Sequence, residues 1–320
     1  MLTHFLLNVN KYFAHNKGKK AKGLTQTERR TDLAVEEREL LGEDIKGVRY
    51  SKEEIEGLPI ERLHIGTQRA GQLLKKPVGT YITVELPPLT DSIRDTDSRV
   101  KALSEEIRRL LPVNGLVLIA GLGNVEITPD ALGPKAASKV LATRHIQGEI
   151  ARSTGLDKLR AVAVVNTGVT GQTGIETGEL LQGVIKNIRP SAVIAVDALA
   201  SRRLERLGCT VQISDTGIAP GAGVGNRRIR IDQETMGVPV IAVGVPTVVD
   251  ALTLAFDLLD ISDEKEGREL SDAVSPQGRS MVVTPKEIDL LIDRAAHLIS
   301  LAINMALQTD IDTEDLLDLL

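Results

Sequence analysis

Residues 116–134 read LVLIAGLGNVEITPDALGP, and their reading decides the fold. Residues 116–120 are short and continuously apolar, as in a strand buried on both faces. The Gly- and Pro-punctuated stretch behind them reads as a loop entering a helix. The rhythm recurs in apolar runs at 161–165, 192–196, 211–213 and 238–243, with helices expected within 131–150 and at 179–187 and 199–207. Upstream, residues 80–86 (TYITVEL) alternate like a half-buried strand, and Val100, Leu103 and Ile107 give 99–111 helical spacing. Downstream, Thr284, Pro285 and Glu287 predict a capped helix start. The apolar stripe from Ile288 to Ala306 is broad enough for burial against the sheet or another subunit. Apolar strands separated by helices predict an α/β fold with a mainly parallel sheet covered on both faces.

The core of that fold must be aliphatic. Of 320 residues, 42% are hydrophobic, yet the aromatics are only Phe5, Tyr12, Phe13, Tyr50, Tyr81 and Phe256. The single Cys209 excludes an internal disulfide framework and points to a reducing compartment. Residues 1–32 carry Lys11, Lys17, Lys19, Lys20, Lys22, Arg29 and Arg30 against Glu28 and Asp32, a net of +5; with −5 for the whole chain, the rest stands at −10. So acidic a body is a poor partner for nucleic acid, whose phosphates call for Lys and Arg. The longest apolar stretch, 238–256, contains Pro239, Gly244, Pro246 and Asp250 and reads as strand, turn and helix start, not a membrane span. The leader lacks the charge order of a secretory signal.

In open α/β sheets ligands meet the carboxyl ends of strands. Five junctions qualify: residues 121–134, 166–179, Asp197 after AVIAV, 214–228, and 245–251. The first resembles a dinucleotide loop but has Glu126 in place of the third Gly, and the Gly-rich run at 221–225 lacks the Lys-Ser/Thr of a phosphate loop. Asp130, in Thr-Pro-Asp, reads singly as a first-turn helix acid, and Asp197 as a helix N-cap. Together they lie on one edge of one sheet. Neighbouring carboxylates drive their pKa values apart, leaving one acid to donate a proton and one base to activate water. Asp215 and Asp250 read as turn or cap residues, Cys209 as a small buried side chain, and His145 as a helix residue in a packing role.

The motifs GLGN…TPDALGPKA, ATRHI, TGIETGELLQGVIK, IAVDALAS, QISDTGIAPGAGVGN and GVPVIAVGVPTVVDA, in that order, resemble those of the spore germination proteases. The resemblance covers about 29–261 and 281–307. It implies an atypical aspartic endopeptidase of small acid-soluble spore proteins with Asp130 and Asp197 catalytic, and a three-layer α/β sandwich similar to hydrogenase maturation proteases. It also implies a zymogen that sheds an N-terminal propeptide, a homotetramer, no cofactor or metal, and a location in the cytoplasm of the forespore and spore core. Family members cut after an acidic residue, and Thr31-Asp32-Leu33-Ala34-Val35-Glu36 mimics such a substrate, placing self-cleavage between Asp32 and Leu33. The chain then divides into a basic propeptide, 1–32, and a catalytic domain, 33–320, with a peripheral N-terminal subregion to about 112. The +5 leader is expected to lie over the acidic body, and Arg227 and Arg228 are candidate readers of the acid before the cut. Two departures stand out: residues 252–280 are shorter than the family segment, and the leader is longer and more basic.

Two other readings remain open. The same acids, with His145, would suit a metal-dependent peptidase, or the strand-end loops would bind a spore protein without turnover.

Overall fold

The structure, a computed structural model, describes residues 29–42, 44–92, 97–146, 148–153, 156–219, 229–259, 274, 281–311 and 313–319. One sheet of nine strands runs through it: β1 (Val48–Ile55), β2 (Leu58–Ile65), β3 (Gly79–Glu85), β4 (Val117–Leu122), β5 (Val162–Gly168), β6 (Ala192–Ser201), β7 (Thr210–Ser214), β8 (Val240–Asp250) and β9 (Val282–Val283). The order is β1-β2-β3-β7-β8-β6-β4-β5, with β9 beside β8. From β8 to β5 the strands are parallel. From β1 to β8 they are antiparallel.

The described helices are α1 (Ala34–Leu41), α2 (Gln68–Leu74), α3 (Ser98–Leu110), α4 (Leu132–Ala137), α5 (Gly148–Ser153), α6 (Thr170–Thr173), α7 (Thr177–Ile188), α8 (Gln233–Met236), α9 (Ala251–Leu259), α10 (Ile288–Leu307) and α11 (Thr313–Asp318). Strand side chains alternate between faces, and the core divides accordingly. Val117 and Ile119 of β4 and Ala192, Ile194 and Val196 of β6 pack with α3, α4 and α10. Leu118, Ala120, Val193 and Ala195 pack with Leu181 and Ile185 of α7 and Met236 of α8. The result is a three-layer α/β arrangement. The stripe of α10 is buried within this one chain, so a helix long and apolar enough to cross a membrane serves as the core helix.

The charge-mixed region before residue 78 joins the sheet as the β1–β2 hairpin, turned by Glu56 and Gly57 at φ 54° and 77°. Its polar sequence (VRYSKEEI for β1) suits an edge strand, where charge discourages further pairing.

One expectation of a helix is met and three expectations are corrected. The helix expected within 131–150 is α4, and an irregular stretch leads on to α5 where Asn304 of α10 takes the chain: its Oδ1 accepts from Leu141 N at 3.0 Å and its Nδ2 donates to Lys139 O at 3.3 Å. The helix expected over 199–207 is instead the end of β6 and a short 3₁₀ turn, Leu204–Arg206, since Leu199, Ala200 and Ser201 keep pairing with Pro246, Val248 and Val249 of β8. For the same reason no turn forms at Gly244 and Pro246, and β8 runs eleven residues to Asp250. Finally, α10 starts at Ile288 with no side-chain cap, while the Thr284 hydroxyl donates to Thr247 O at 2.9 Å.

Gly133 lets α4 press onto the strand ends: a Cβ there would stand 2.2 Å from Leu122 O and 2.3 Å from Val196 O. These are backbone atoms of β4 and β6 and cannot swing aside. Gly133→Ala is therefore expected to destabilise the chain by about 1–3 kcal/mol, read as a lower denaturation midpoint at unchanged m-value. An unchanged midpoint would show that α4 is free to lift.

Candidate active site

Asp197 sits inside β6, one residue past the point where β4 ends its pairing, and not at a helix N-cap. Only 9% of its surface is exposed, and its Oδ1 accepts from the backbone N–H of Ala198 at 2.9 Å. Burial first, then the charge of Asp130, then that of Asp32 push its carboxyl well above the usual carboxylate range, against the opposing Ala198 hydrogen bond. These surroundings favour the protonated form of Asp197.

Asp130 closes a 3₁₀ turn, Thr128–Asp130, just ahead of α4 instead of lying in the helix's first turn. Its Oδ2 accepts from Asn124 N at 2.8 Å, a bond suited to an ionised carboxylate. Gly123, at φ 112°, permits this fold-back, since a Cβ there would come 2.1 Å from Asp130 O. The Thr247 hydroxyl of β8 ties the turn down by donating to Pro129 O at 2.8 Å. Two acids expected to meet on position alone thus line one cavity of about 760 Å³, together with Gly123, Asn124, Gln212 and Gly244.

The cavity also holds Asp32. Residues 31–36 lie across the ends of β6 and β7, and α1 begins only at Ala34, with neither Thr31 nor Asp32 as its cap. Asp32 N donates to Ala200 O at 2.8 Å, and Ala200 N donates to the Asp32 carboxylate at 2.8 Å. The Gln212 amide donates from Nε2 to Asp32 O at 3.1 Å and accepts at Oε1 from Ala34 N at 2.8 Å. Leu33 is fully buried and packs with Val35, Leu199 and Ile218. Lys76 donates to Thr31 O at 3.0 Å; burial pulls its ammonium pKa down, while Asp32, Glu37 and Glu36 counter that pull.

Glu36 anchors the segment from the other side. It is 0% exposed, accepts from Arg202 N at 2.6 Å and from Arg203 N at 3.0 Å, and takes the Thr31 hydroxyl.

The other expected residues lie apart. Asp215 Oδ1 accepts from Thr80 N at 2.7 Å, and Asp250 Oδ1 accepts from Thr253 N at 2.8 Å. Cys209 is half-buried, and burial and Asp91 raise its thiol pKa, so it is no ready thiolate. His145 is exposed in a turn between α4 and α5, not in a helix. Among the described residues no group of three or more His, Cys, Asp or Glu side chains could hold a metal ion. Arg227, Arg228, the Gly-rich run at 221–225 and residues 1–28 of the basic leader lie outside the described residues.

Gln212 and Lys76 were not among the sequence candidates. For Gln212 a signal existed, a polar amide between Val211 and Ile213 in an otherwise apolar run. Lys76, in a polar stretch, offered none.

The sequence profile of the germination protease family matches residues 21–273 and 261–318. The chain belongs to that family. Among germination proteases, that of Caldanaerobacter subterraneus subsp. tengcongensis is 45% identical over 317 residues, covering 91% of this chain and 98% of the relative. That of Clostridium perfringens is 39% identical, covering 90% and 97%, and that of Priestia megaterium 34% identical, covering 91% and 97%. A looser likeness, at 15% identity and a TM-score of 0.34, runs to a [NiFe] hydrogenase maturation protease from Thermococcus kodakarensis, covering 62% of this chain and 98% of that one.

For this germination protease the raised carboxyl of Asp197 has a stability consequence. Its folded-state pKa lies above the unfolded value of about 3.9, so the folded chain holds the proton more tightly. That stabilisation is complete below the unfolded value and is lost as pH rises to the folded one. Asn cannot ionise, so Asp197→Asn should gain in denaturation midpoint relative to wild type as pH rises above about 4, on chains of intact mass. A pH-independent difference would show that Asp197 ionises normally.

Proposed function

We infer that this germination protease is an endopeptidase of small acid-soluble spore proteins, made as a zymogen that cuts itself between Asp32 and Leu33. The observation that carries the reading is the seat of Thr31–Glu36: a segment resembling the substrate site is bonded along β6 and β7 and sets Asp32 in the wall of the cavity that Asp130 and Asp197 also line. The acid before the cut is held by Ala200 N–H, and the apolar residue after it by Leu199 and Ile218.

In this reading Asp130, ionised, takes a proton from a water whose oxygen bonds to the carbonyl carbon of residue 32. Asp197 gives its proton to the carbonyl oxygen. Collapse of the tetrahedral adduct breaks the C–N bond, the proton on Asp130 passes to the leaving nitrogen of residue 33, and a proton from the diol returns to Asp197. Water is consumed, an acid and an amine are released, and both carboxyls regain their starting states. The enzyme would act in the spore cytoplasm, and the homotetramer implied by the family resemblance is part of this proposal.

N-terminal sequencing of full-length chain after incubation at mildly acidic pH should reveal a terminus at Leu33. Asp130→Asn and Asp197→Asn should each slow its appearance by at least about 10²-fold. Because the segment is seated within its own chain, the rate constant should not vary with protein concentration. Cleavage that persists in both variants would refute the acid pair, cleavage abolished by chelators would move the reading to a metal peptidase, and no cleavage of self or spore protein would leave a binding module.

A further inference from the structure

Between Asp197 and the far side of the cavity stands a side chain that the acid pair does not use. Gln212 of β7 is opposite Gly244 of β8, and Gly244 is opposite Asp197 of β6. Residues opposite one another share a face of the sheet, so Asp197, Gly244 and Gln212 form a row across three strands. The middle member has no side chain. A Cβ there would come 2.6 Å from Leu199 Cγ, so the space over Gly244 belongs to Leu199, on which Leu33 packs.

The Gln212 amide spans the bond proposed for cleavage. Its N–H reaches the carbonyl oxygen of Asp32 at 3.1 Å, and its oxygen receives the N–H of Ala34 at 2.8 Å. Only 8% of Gln212 is exposed, and a buried amide stripped of partners costs about 1–3 kcal/mol. Once residues 31 and 32 have gone, the donor end is available to another main-chain carbonyl.

We propose that Gln212 is a catalytic residue of this site, its Nε2–H donor stabilising the negative charge that develops on the carbonyl oxygen under attack while its Oε1 sets the register of the chain beyond the cut. The proposal rests on the self-cleavage reading above and adds the third group that the reaction needs. A carbonyl oxygen has two lone pairs. Gln212 takes one, leaving the other for the proton of Asp197. The amide neither gains nor loses a proton in the step. It acts as a fixed dipole whose hydrogen bond strengthens as charge accumulates, the contribution for which loss of one donor slows acyl transfer about 10²–10³-fold. A glutamine serves this purpose better than a lysine beside two acids, because it adds no charge to alter their balance.

The test is single-turnover appearance of the Leu33 terminus in full-length wild type, Gln212→Ala and Gln212→Glu across pH. Gln212→Ala is expected to cut about 10²–10³-fold more slowly at neutral pH. Gln212→Glu keeps the shape and the acceptor for Ala34 but, when ionised, loses the donor. It should lag wild type at high pH and recover towards it as pH falls and its carboxyl, held above the ordinary glutamate value by burial and two neighbouring acids, regains its proton. A residue that merely seats the segment would not show that recovery, so a pH-independent deficit of Gln212→Glu overturns the proposal. Cutting by Gln212→Ala within about threefold of wild type at pH 8 overturns it as well. If wild type itself yields no Leu33 terminus, the self-cleavage reading fails; if wild type is cut and Gln212→Ala is cut equally well, only the role of Gln212 fails.

Discussion

A carboxyl group enclosed in a sheet is expensive to ionise, and the surroundings of Asp197 are organised around that constraint. Its neighbours in β6 and β8 are apolar, and its one described hydrogen-bond donor is the adjacent N–H of Ala198. A second acid nearby makes ionisation harder still. Asp130 is positioned by main chain: Asn124 N holds its carboxylate, and Thr247 pins the preceding carbonyl. Both acids are thus held by main-chain N–H groups, of Asn124 and of Ala198, and not by other flexible side chains.

The same reasoning applies to the segment that brings Asp32 to the cavity wall. A segment with Thr31, Asp32, Glu36 and Glu37 around Leu33, Ala34 and Val35 is not held by hydrophobic contact alone, and residues 29–41 are tied down by a network of ions. Arg29 pairs with Asp257 at 3.4 Å, Arg202 with Asp257 at 3.0 Å, and Arg206 with Glu39 at 2.7 Å. Glu36, wholly buried, is compensated by two backbone N–H groups and the Thr31 hydroxyl as well as by Arg206 at 3.7 Å. Removing one partner from such a network leaves an uncompensated buried charge and costs far more than the intact network contributes. The network therefore specifies one position for the segment, and loss of Arg29, Arg30, Thr31 and Asp32 on cutting would take apart its leading end.

What the sequence disclosed, and what it hid, follows from the range of the forces involved. The buried parallel strands were legible because burial on both faces writes a continuous apolar run, as in residues 116–120 and 192–196. The acid pair was legible because strand ends on one side of such a sheet converge. The end of β6 was not. ALAS carries helix-forming Ala and Leu, and only pairing with Pro246, Val248 and Val249 of β8 makes it a strand. Likewise Gly244 and Pro246 look like a turn until the partner strand is known. The short α4 depends on Asn304, more than 150 residues away. Gln212 was visible as an oddity in an apolar run, yet its meaning depends on Asp32 and Ala34, which only the tertiary fold brings to it.

The overrun of β6 connects these points. A strand that stopped with its neighbour β4 would present Asp197 at its tip, exposed to solvent and with an ordinary carboxylate affinity for protons. Continued to Ser201, the strand encloses the acid and offers, three residues further on, the N–H and C=O of Ala200 to the chain bearing Asp32. The proton-holding group and the edge that sets the register of the bound chain are then parts of one rigid element. A displacement of that strand moves both together, and the alignment between them survives the breathing of the sheet.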